Sequence, residues 1–560
     1  MLQEDEEQCS NTGDCEGLGP AFLGTTCSSE GRCVPGAPNN SGSGGVGGMG
    51  GMGGMSGGGG LAGVAGALAA CQKNSDCFGA FGRSICRQQS CVSLVSPENG
   101  CIEATGKIND DDATNTIIGF LTSRATTSTQ ALLGDSMSKA FDLARSGYET
   151  SNAQVAPLAP VVVVCDEVIN PARSARYLID TLGAKVIVGP TFDQNVAAVL
   201  AETRTTGVPL VSPTADGVAL TQAPLYTADN LLWSCRPNRA KVAGYYQSAL
   251  DQAIASFTAK GGDFSTARAV LIAPADGMFG EPSAAGFVAE LERAVKLNGV
   301  LLPNNGANYQ RINYAWSLLA TTDFASIGLQ VQTLAGGATP PNLILLPSSI
   351  DQTSNIIDAI ESRWPAAPDG APKPFYLIDE PPELLPSLIG AHADVRSRIL
   401  GLRPYRDAQS RSAFNEFVNA FRAQHGSVPV NKAEYAFDCF YETWYALLAA
   451  SPVENGRVQL REVNAGAMRR GVDLLTGGEP VFVGKAGTSP FITKLLAKKG
   501  ADLIGSSGPL TYTTGSNQPD SNAELYCISN FNSPCRTGIV IASGTGTVTN
   551  ETVDDCTCGN

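Results

Sequence analysis

Cysteine gives this chain its most reactive side chains, and the cysteine spacing repeats. Cys9, Cys15, Cys27 and Cys33 in CSNTGDCEGLGPAFLGTTCSSEGRCVPG are matched by Cys71, Cys77, Cys86 and Cys91 in CQKNSDCFGAFGRSICRQQSCVSL. Both sets open Cys-x5-Cys with Asp just before the second Cys, and both close Cys, four or five residues, Cys-Val. A unit of about 25 residues cannot bury enough apolar surface to offset chain entropy, so it needs covalent staples. Two disulfides per module are expected, with three connectivities open for each. Zinc is the competing chemistry, but structural zinc sites favour Cys-x2–4-Cys pairs and these spacings are wider. Cys527 and Cys535 frame ISNFNSP and are expected to close a local loop. Cys165 and Cys235 fall on opposite parts of a sheet and are not expected to pair; Cys101, Cys439, Cys556 and Cys558 have no evident partner.

Other reactive types are sparse. Met49, Met52 and Met55 recur every third residue in GGVGGMGGMGGMSGGGG (44–60). That spacing suits a soft-ligand Cu(I) site; the simpler role is a tether, since a Gly-rich chain of about 20 residues spans roughly 25 Å. A collagen-like strand is excluded because the repeat is short and lacks Pro. The two histidines, His392 and His425, are far apart and read as surface helix-end residues. G-x-S-x-G, HExxH and G-x-x-x-x-G-K-[ST] are all absent. Catalysis needs a poised nucleophile, acid or base, so neither an enzyme nor a cofactor or bound metal is expected. The formal net charge of −15, with no basic cluster, excludes a nucleic-acid partner.

Sixteen cysteines suit an exported chain better than a cytosolic one. MLQEDEEQCSN has no basic start or apolar core of a signal peptide, and no lipobox precedes Cys9. An export signal, with a lipid anchor as one option, is therefore expected to have been removed or left out. No apolar run reaches the roughly 18–20 residues of a membrane span; LAGVAGALAA (61–70) is too short.

From residue 114 the pattern turns to alternating strands and helices. TIIGFLTS, VVVVCDE, AKVIVGP and GVPLVSP are apolar strands. Between them, Leu133, Met137, Ala140, Phe141 and Ala144 share one helical face, as do Val196, Val199, Leu200 and Thr203. Four strand–helix units in about 100 residues imply βαβ crossovers and a doubly wound sheet. The rhythm restarts at ARAVLIAPADG and continues through PNLILLPSS and PFYLIDE, giving a second α/β lobe. In open α/β sheets ligands collect beyond the carboxyl ends of strands. The candidate ligand-binding residues are therefore Thr191, Phe192, Asp193, Thr214, Ala215, Asp216, Asp276, Phe279, Ser348, Ser349 and Asp379.

The ordered set of stretches resembles the type I periplasmic solute-binding family, in particular the substrate-binding proteins of branched-chain amino acid ABC transporters and related receptor regions. IIGFLTS, the run from VVVVCDEVINP to LVSPTAD, LIAPADGMFGEPSAAGFVAELE, the late helical pair FNEFVNAFRAQHG…AEYAFDCFYETWYALLAA, and GSSGPLTYTTGSNQPDSNAELYCI follow the family order. The resemblance implies two lobes joined by three crossovers, with a ligand between them. It divides the chain into Cys-rich module 1 (1–40), a Gly/Met/Ser linker (41–70), Cys-rich module 2 (71–113), lobe 1 (114–236 plus 381–485), lobe 2 (237–380 plus 486–530) and a Cys-containing tail (531–560), the tail adding a strand or staying loose. The modules resemble short Cys-rich repeats near the N-termini of exported bacterial lipoproteins. Where amino-acid-binding relatives hold the ligand carboxylate with Ser and Thr, this chain has Asp193 and Asp216. If both face the cleft they favour a cation or a polyol over a simple carboxylate. The plainer roles are a helix N-cap for Asp193 and a turn residue for Asp216. Phe279 stands in place of a ligand-stacking Tyr, or serves as a lobe-core Phe. The implied function is a periplasmic or cell-surface solute receptor, coupled to an ABC permease or acting as a sensor; a purely structural or adhesive surface protein is the third class.

Overall fold

The computed structural model describes residues 25–27, 33–35, 70–78, 83–110, 114–124, 129–151, 158–222, 225, 229–274, 282–315, 322–347, 353–365, 372–379, 385–454, 457–460, 463–513, 516–530, 532–552 and 558. The chain divides into two units, 1–66 and 67–560. In the first, a hairpin pairs Thr25–Cys27 with Cys33–Pro35 and sets Cys27 opposite Cys33. In the second, a hairpin pairs Ser84–Arg87 with Ser90–Ser93 and sets Cys86 opposite Cys91. The cysteine repeat is thus a repeat of backbone as well as of sequence. The second module is closed by Cys71–Cys86 and Cys77–Cys91. Cys71, Cys77 and Cys91 cluster tightly, but a disulfide sulfur is no thiolate ligand. Cys9, Cys15 and the Gly/Met stretch lie outside the described residues.

The second module is fastened to the first lobe. Ile85 and Leu94 enter the core of that lobe's sheet. Tyr177 donates to the Ser93 carbonyl, and Arg87 to the Leu182 carbonyl at 3.2 Å. Cys101–Thr105, expected within the module, is instead the antiparallel edge strand of the sheet. Its pairing with Ala159–Asp166 sets Cys101 opposite Cys165, and the two form a disulfide.

The first sheet runs Leu232–Ser234, Leu210–Ser212, Val186–Val188, Asn115–Thr122, Ala159–Asp166, Cys101–Thr105. Its first five strands are parallel. In chain order their arrangement is 2-1-3-4-5, a doubly wound order. The second sheet repeats it with Tyr309–Tyr314, Ala269–Pro274, Leu343–Leu346, Phe375–Ile378 and Ile399–Pro404. Three antiparallel strands, Ala523–Ile528, Pro534–Ile541 and Val548–Asn550, extend it. Each sheet has a core on both faces. Helix Thr129–Ser151 buries Leu133, Met137, Ala140, Phe141 and Ala144 against the first sheet, with Phe141 stacked 4.4 Å from Phe120. Helix Asp193–Thr206 buries Val196, Val199, Leu200 and Thr203 on the other face and stops at Gly207, which takes the left-handed φ of 73°.

Three features depart from the sequence reading. The strand Ile399–Pro404 belongs to the second sheet, whereas the resemblance places 381–485 in lobe 1. Its short run ILGLRP is broken by Gly401, which is needed because the Tyr526 ring lies 1.9 Å from where a Cβ would stand. Conversely, Phe491, Leu495, Leu503, Leu510 and Tyr512, which the resemblance places in lobe 2 within 486–530, pack in the first-sheet core. The chain therefore crosses between lobes after Ser234, after Pro404 and before Ala523. Third, Cys527 pairs with Cys558 rather than Cys535, and Cys235 pairs with Cys439. Cys535 is also disulfide-bonded. The tail adds strands, which bring Cys558 back beside Cys527; helix Ala433–Ala450 returns across the first sheet and brings Cys439 to Cys235.

That helix buries every residue from Ala433 to Leu448, acids included. Glu434, Asp438 and Glu442 recur every fourth residue and dock the neighbouring loops. Glu434 takes Arg406. Asp438 accepts from the backbone N–H and hydroxyl of both Ser506 and Ser507, at 2.6–2.9 Å. Glu442 meets the Tyr512 hydroxyl, which also lies 2.9 Å from the Ser234 carbonyl.

Candidate functional site

Thr191, Phe192 and Asp193 follow strand Val186–Val188; Thr214, Ala215 and Asp216 follow Leu210–Ser212; Asp379 follows Phe375–Ile378. All lie beyond carboxyl ends, as anticipated. Asp276, Phe279, Ser348 and Ser349 lie outside the described residues. Gly189 makes the first loop possible. It has φ 94°, and a Cβ there would lie 2.1 Å from the Leu121 carbonyl oxygen. The two first-lobe loops are knitted together. Thr214 Oγ1 donates to the Thr191 carbonyl at 2.8 Å, and Ser212 Oγ to the Pro190 carbonyl at 2.6 Å. Asp193 is the first helical residue rather than the cap, a position held by Phe192. Its Oδ1 accepts from Gly217 N–H at 3.1 Å.

The start of helix Asp193–Thr206 is occupied by the chain's own carboxylate. Glu167, fully buried at the end of VVVVCDE, accepts from Thr191 N–H at 3.0 Å, Phe192 N–H at 3.3 Å and Asn195 Nδ2 at 3.0 Å. The Thr191 hydroxyl donates as well. These groups and the helix dipole are what an anionic ligand would use. Burial pushes the Glu167 carboxyl up to about 7, against the pull of those donors.

Asp216 is equally committed. It is 3% exposed. Arg236 Nη2 lies 3.1 Å from its Oδ2 and Arg239 Nε 3.1 Å from its Oδ1. Arg239 then reaches the second lobe, donating through Nη1 to the Pro347 carbonyl at 2.7 Å and through Nη2 to Asp379 Oδ2 at 2.9 Å. Burial raises the Asp216 carboxyl, but Arg236, Arg239 and Lys432 outweigh it and hold the group below its usual range. Asp216 is thus no free anion awaiting a cation, and the charge argument for a cationic solute loses this residue. Phe192 packs against the second-sheet core, and Ala215 is a core residue of the first lobe.

Among the described residues, the space at the ion pairs is about 20 Å3, lined by Asp216, Arg236, Arg239, Asp379 and Arg403. That is about one water. Beside it lies a larger cavity of about 190 Å3, walled by Ala215, Leu220, Trp233, Asn238, Asn517 and Gln518. Sequence reasoning missed Glu167, Arg236 and Arg239. Their signals were present: an acidic pair ending an apolar strand in VVVVCDE, and two arginines three apart in SCRPNRA, where the chain leaves the first sheet.

No family model and no curated protein matches the sequence. Solved structures do match the fold. A leucine-binding protein of Thermotoga maritima superposes with a TM-score of 0.52 at 14% identity, over 76% of this chain and 99% of that one. An ABC-transporter solute-binding protein of Rhodopseudomonas palustris, in complex with 4-hydroxybenzoate, gives 0.52 at 14% identity, over 77% and 97%. Another of R. palustris, in complex with benzoate, gives 0.51 at 13% identity, over 77% and 98%.

Proposed function

We propose that this chain, which has the type I periplasmic solute-binding fold, is an extracytoplasmic binding protein and not an enzyme. Its two lobes close on a small polar solute, amino-acid-like or related, and present it to an ABC permease. One observation carries the reading. The carboxyl ends of two sheets of the same 2-1-3-4-5 order meet through Asp216, Arg239 and Asp379, and open α/β sheets take ligands at such a crevice. Hinged lobes closing on a ligand would supply the signal that a permease reads. Disulfides Cys71–Cys86, Cys77–Cys91, Cys101–Cys165, Cys235–Cys439 and Cys527–Cys558 suit an oxidising compartment. The deciding experiment is mass spectrometry of small molecules released on denaturing protein purified from its own host. A stoichiometric solute supports the proposal; a chain that releases none, and that no library solute stabilises, refutes it. A surface sensor is the second reading, favoured by the second Cys module, which is fixed to the first lobe as an extension. A gene neighbourhood without permease and ATPase would select it.

A further inference from the structure

The crevice holds a guanidinium, and the chain supplies it. Arg239 opens helix Arg239–Ala259, directly after the first crossover, and is 4% exposed. Its three nitrogens contact Asp216 of the first lobe and, from the second, the Pro347 carbonyl and Asp379, while its Cζ lies over the Phe287 ring, 4.8 Å from the centroid. Two carboxylates, a carbonyl and an aromatic face are the partners a planar, five-donor cation needs. The surrounding contacts also join the lobes: Phe192 packs on the second-sheet core, and Val218 packs in the other second-lobe core. Lys could reach one carboxylate, but it lacks the fork that spans both.

We infer that Asp216, Asp379, the Pro347 carbonyl and Phe287 form an inter-lobe guanidinium site occupied by Arg239, which latches the lobes together and excludes cationic solutes. Arg239 is on this account a positioning and specificity-determining residue. The inference rests on reading this crevice as the solute site, but its test needs no native solute.

Removing the side chain should leave a vacant site that a small guanidinium refills. The full chain and its Arg239→Ala variant are titrated with methylguanidinium, with tetramethylammonium as a cation that cannot donate. The variant is expected to melt below the wild type and to regain stability with methylguanidinium alone, binding it at least about tenfold more tightly than the wild type does. Its solute-free radius of gyration should exceed that of the wild type and contract on adding methylguanidinium. If Arg239→Ala does not fold, Arg239→Gln keeps part of the stem and is put through the same titration. Equal methylguanidinium binding by both proteins, or equal rescue by tetramethylammonium, overturns the site; equal radii overturn the latch. Either failure leaves the released-solute measurement standing, and absence of a released solute leaves the titration unaffected.

Discussion

Asp216 in the crevice and Glu442 on helix Ala433–Ala450 are both carboxylates shut away from water, at 3% and 1% exposed. Their surroundings push them in opposite directions. Asp216 faces Arg236 and Arg239 and stays charged, its carboxyl held low. Among the described residues no cation offsets the burial of Glu442; burial, with the Asp438 charge adding, drives its carboxyl well above the usual range. The Tyr512 hydroxyl donates towards Glu442 and lies 2.9 Å from the Ser234 carbonyl. Glu167 is intermediate, with donors but, among the described residues, no cation, and reaches about 7. Burial raises all three, and the neighbours decide where each one ends.

The comparison can be broken most violently at Asp216. Asp216→Asn leaves two buried guanidiniums short of charge and should cost about 3–5 kcal/mol at pH 7 in denaturant melts. Because the folded-state carboxyl is held low, that contribution is present above 3.8 and lost as pH falls through the folded value. The deficit of the variant should therefore shrink in acid. Glu442→Gln should behave in the opposite sense. With the folded carboxyl raised, the wild type is favoured below 4.5 and loses stability as pH rises. Relative to the wild type, the Gln variant should gain about 1.4 kcal/mol per pH unit above 4.5, until the folded carboxyl ionises. An infrared band of a protonated carboxyl at pH 7, absent from the variant, would sharpen the assignment; an ionised carboxylate there would break it.

Smaller effects are expected at Glu167 and at the surface. Glu167→Ala frees the Thr191 and Phe192 N–H groups just before helix Asp193–Thr206 and should cost about 1–2 kcal/mol. Carbon-detected NMR should find one Glu side chain titrating near 7, and this signal should vanish in the variant. The group's contribution is present below 4.5 and lost as pH rises through about 7. The Arg176–Glu202 pair, whose Arg is 61% exposed, is the control. Arg176→Ala should leave the denaturant midpoint almost unmoved, and displace it less still at high salt. A large effect there would mean that burial is not what separates these groups.

Much of the molecule was legible along the chain because its signals are local. Apolar runs such as VVVVCDE and one-sided helices such as 193–206 announced the parallel sheets, since strand and helix periods are written in neighbouring residues. The loops at 191–193 and 214–216 were located for the same reason: they end strands. The crevice chemistry was less legible. Asp216 was visible, but its neutralisation by Arg239 and the link from Arg239 to Asp379, 140 positions away, depend on two sheets meeting. The acids at 434, 438 and 442 lie at helical spacing on a segment that otherwise reads as core. The sequence reading passed over that pattern, and their partners at 506, 507 and 512 are set by the return of 501–512 to the first-lobe core.

By itself the sequence determined the two-lobed α/β plan, the repeat of cysteine modules and the positions of the strand ends on which the proposed solute site rests. Each stems from local periodicity, or from a short unit's need for covalent staples. The tertiary structure decided the partners of Cys439, Cys527 and Cys558, the residues at which the lobes exchange chain, and the direction in which Asp216, Glu167 and Glu442 are each pushed. Those outcomes depend on which distant groups share a low-dielectric space, and a pKa or a disulfide responds to distance in space rather than along the chain.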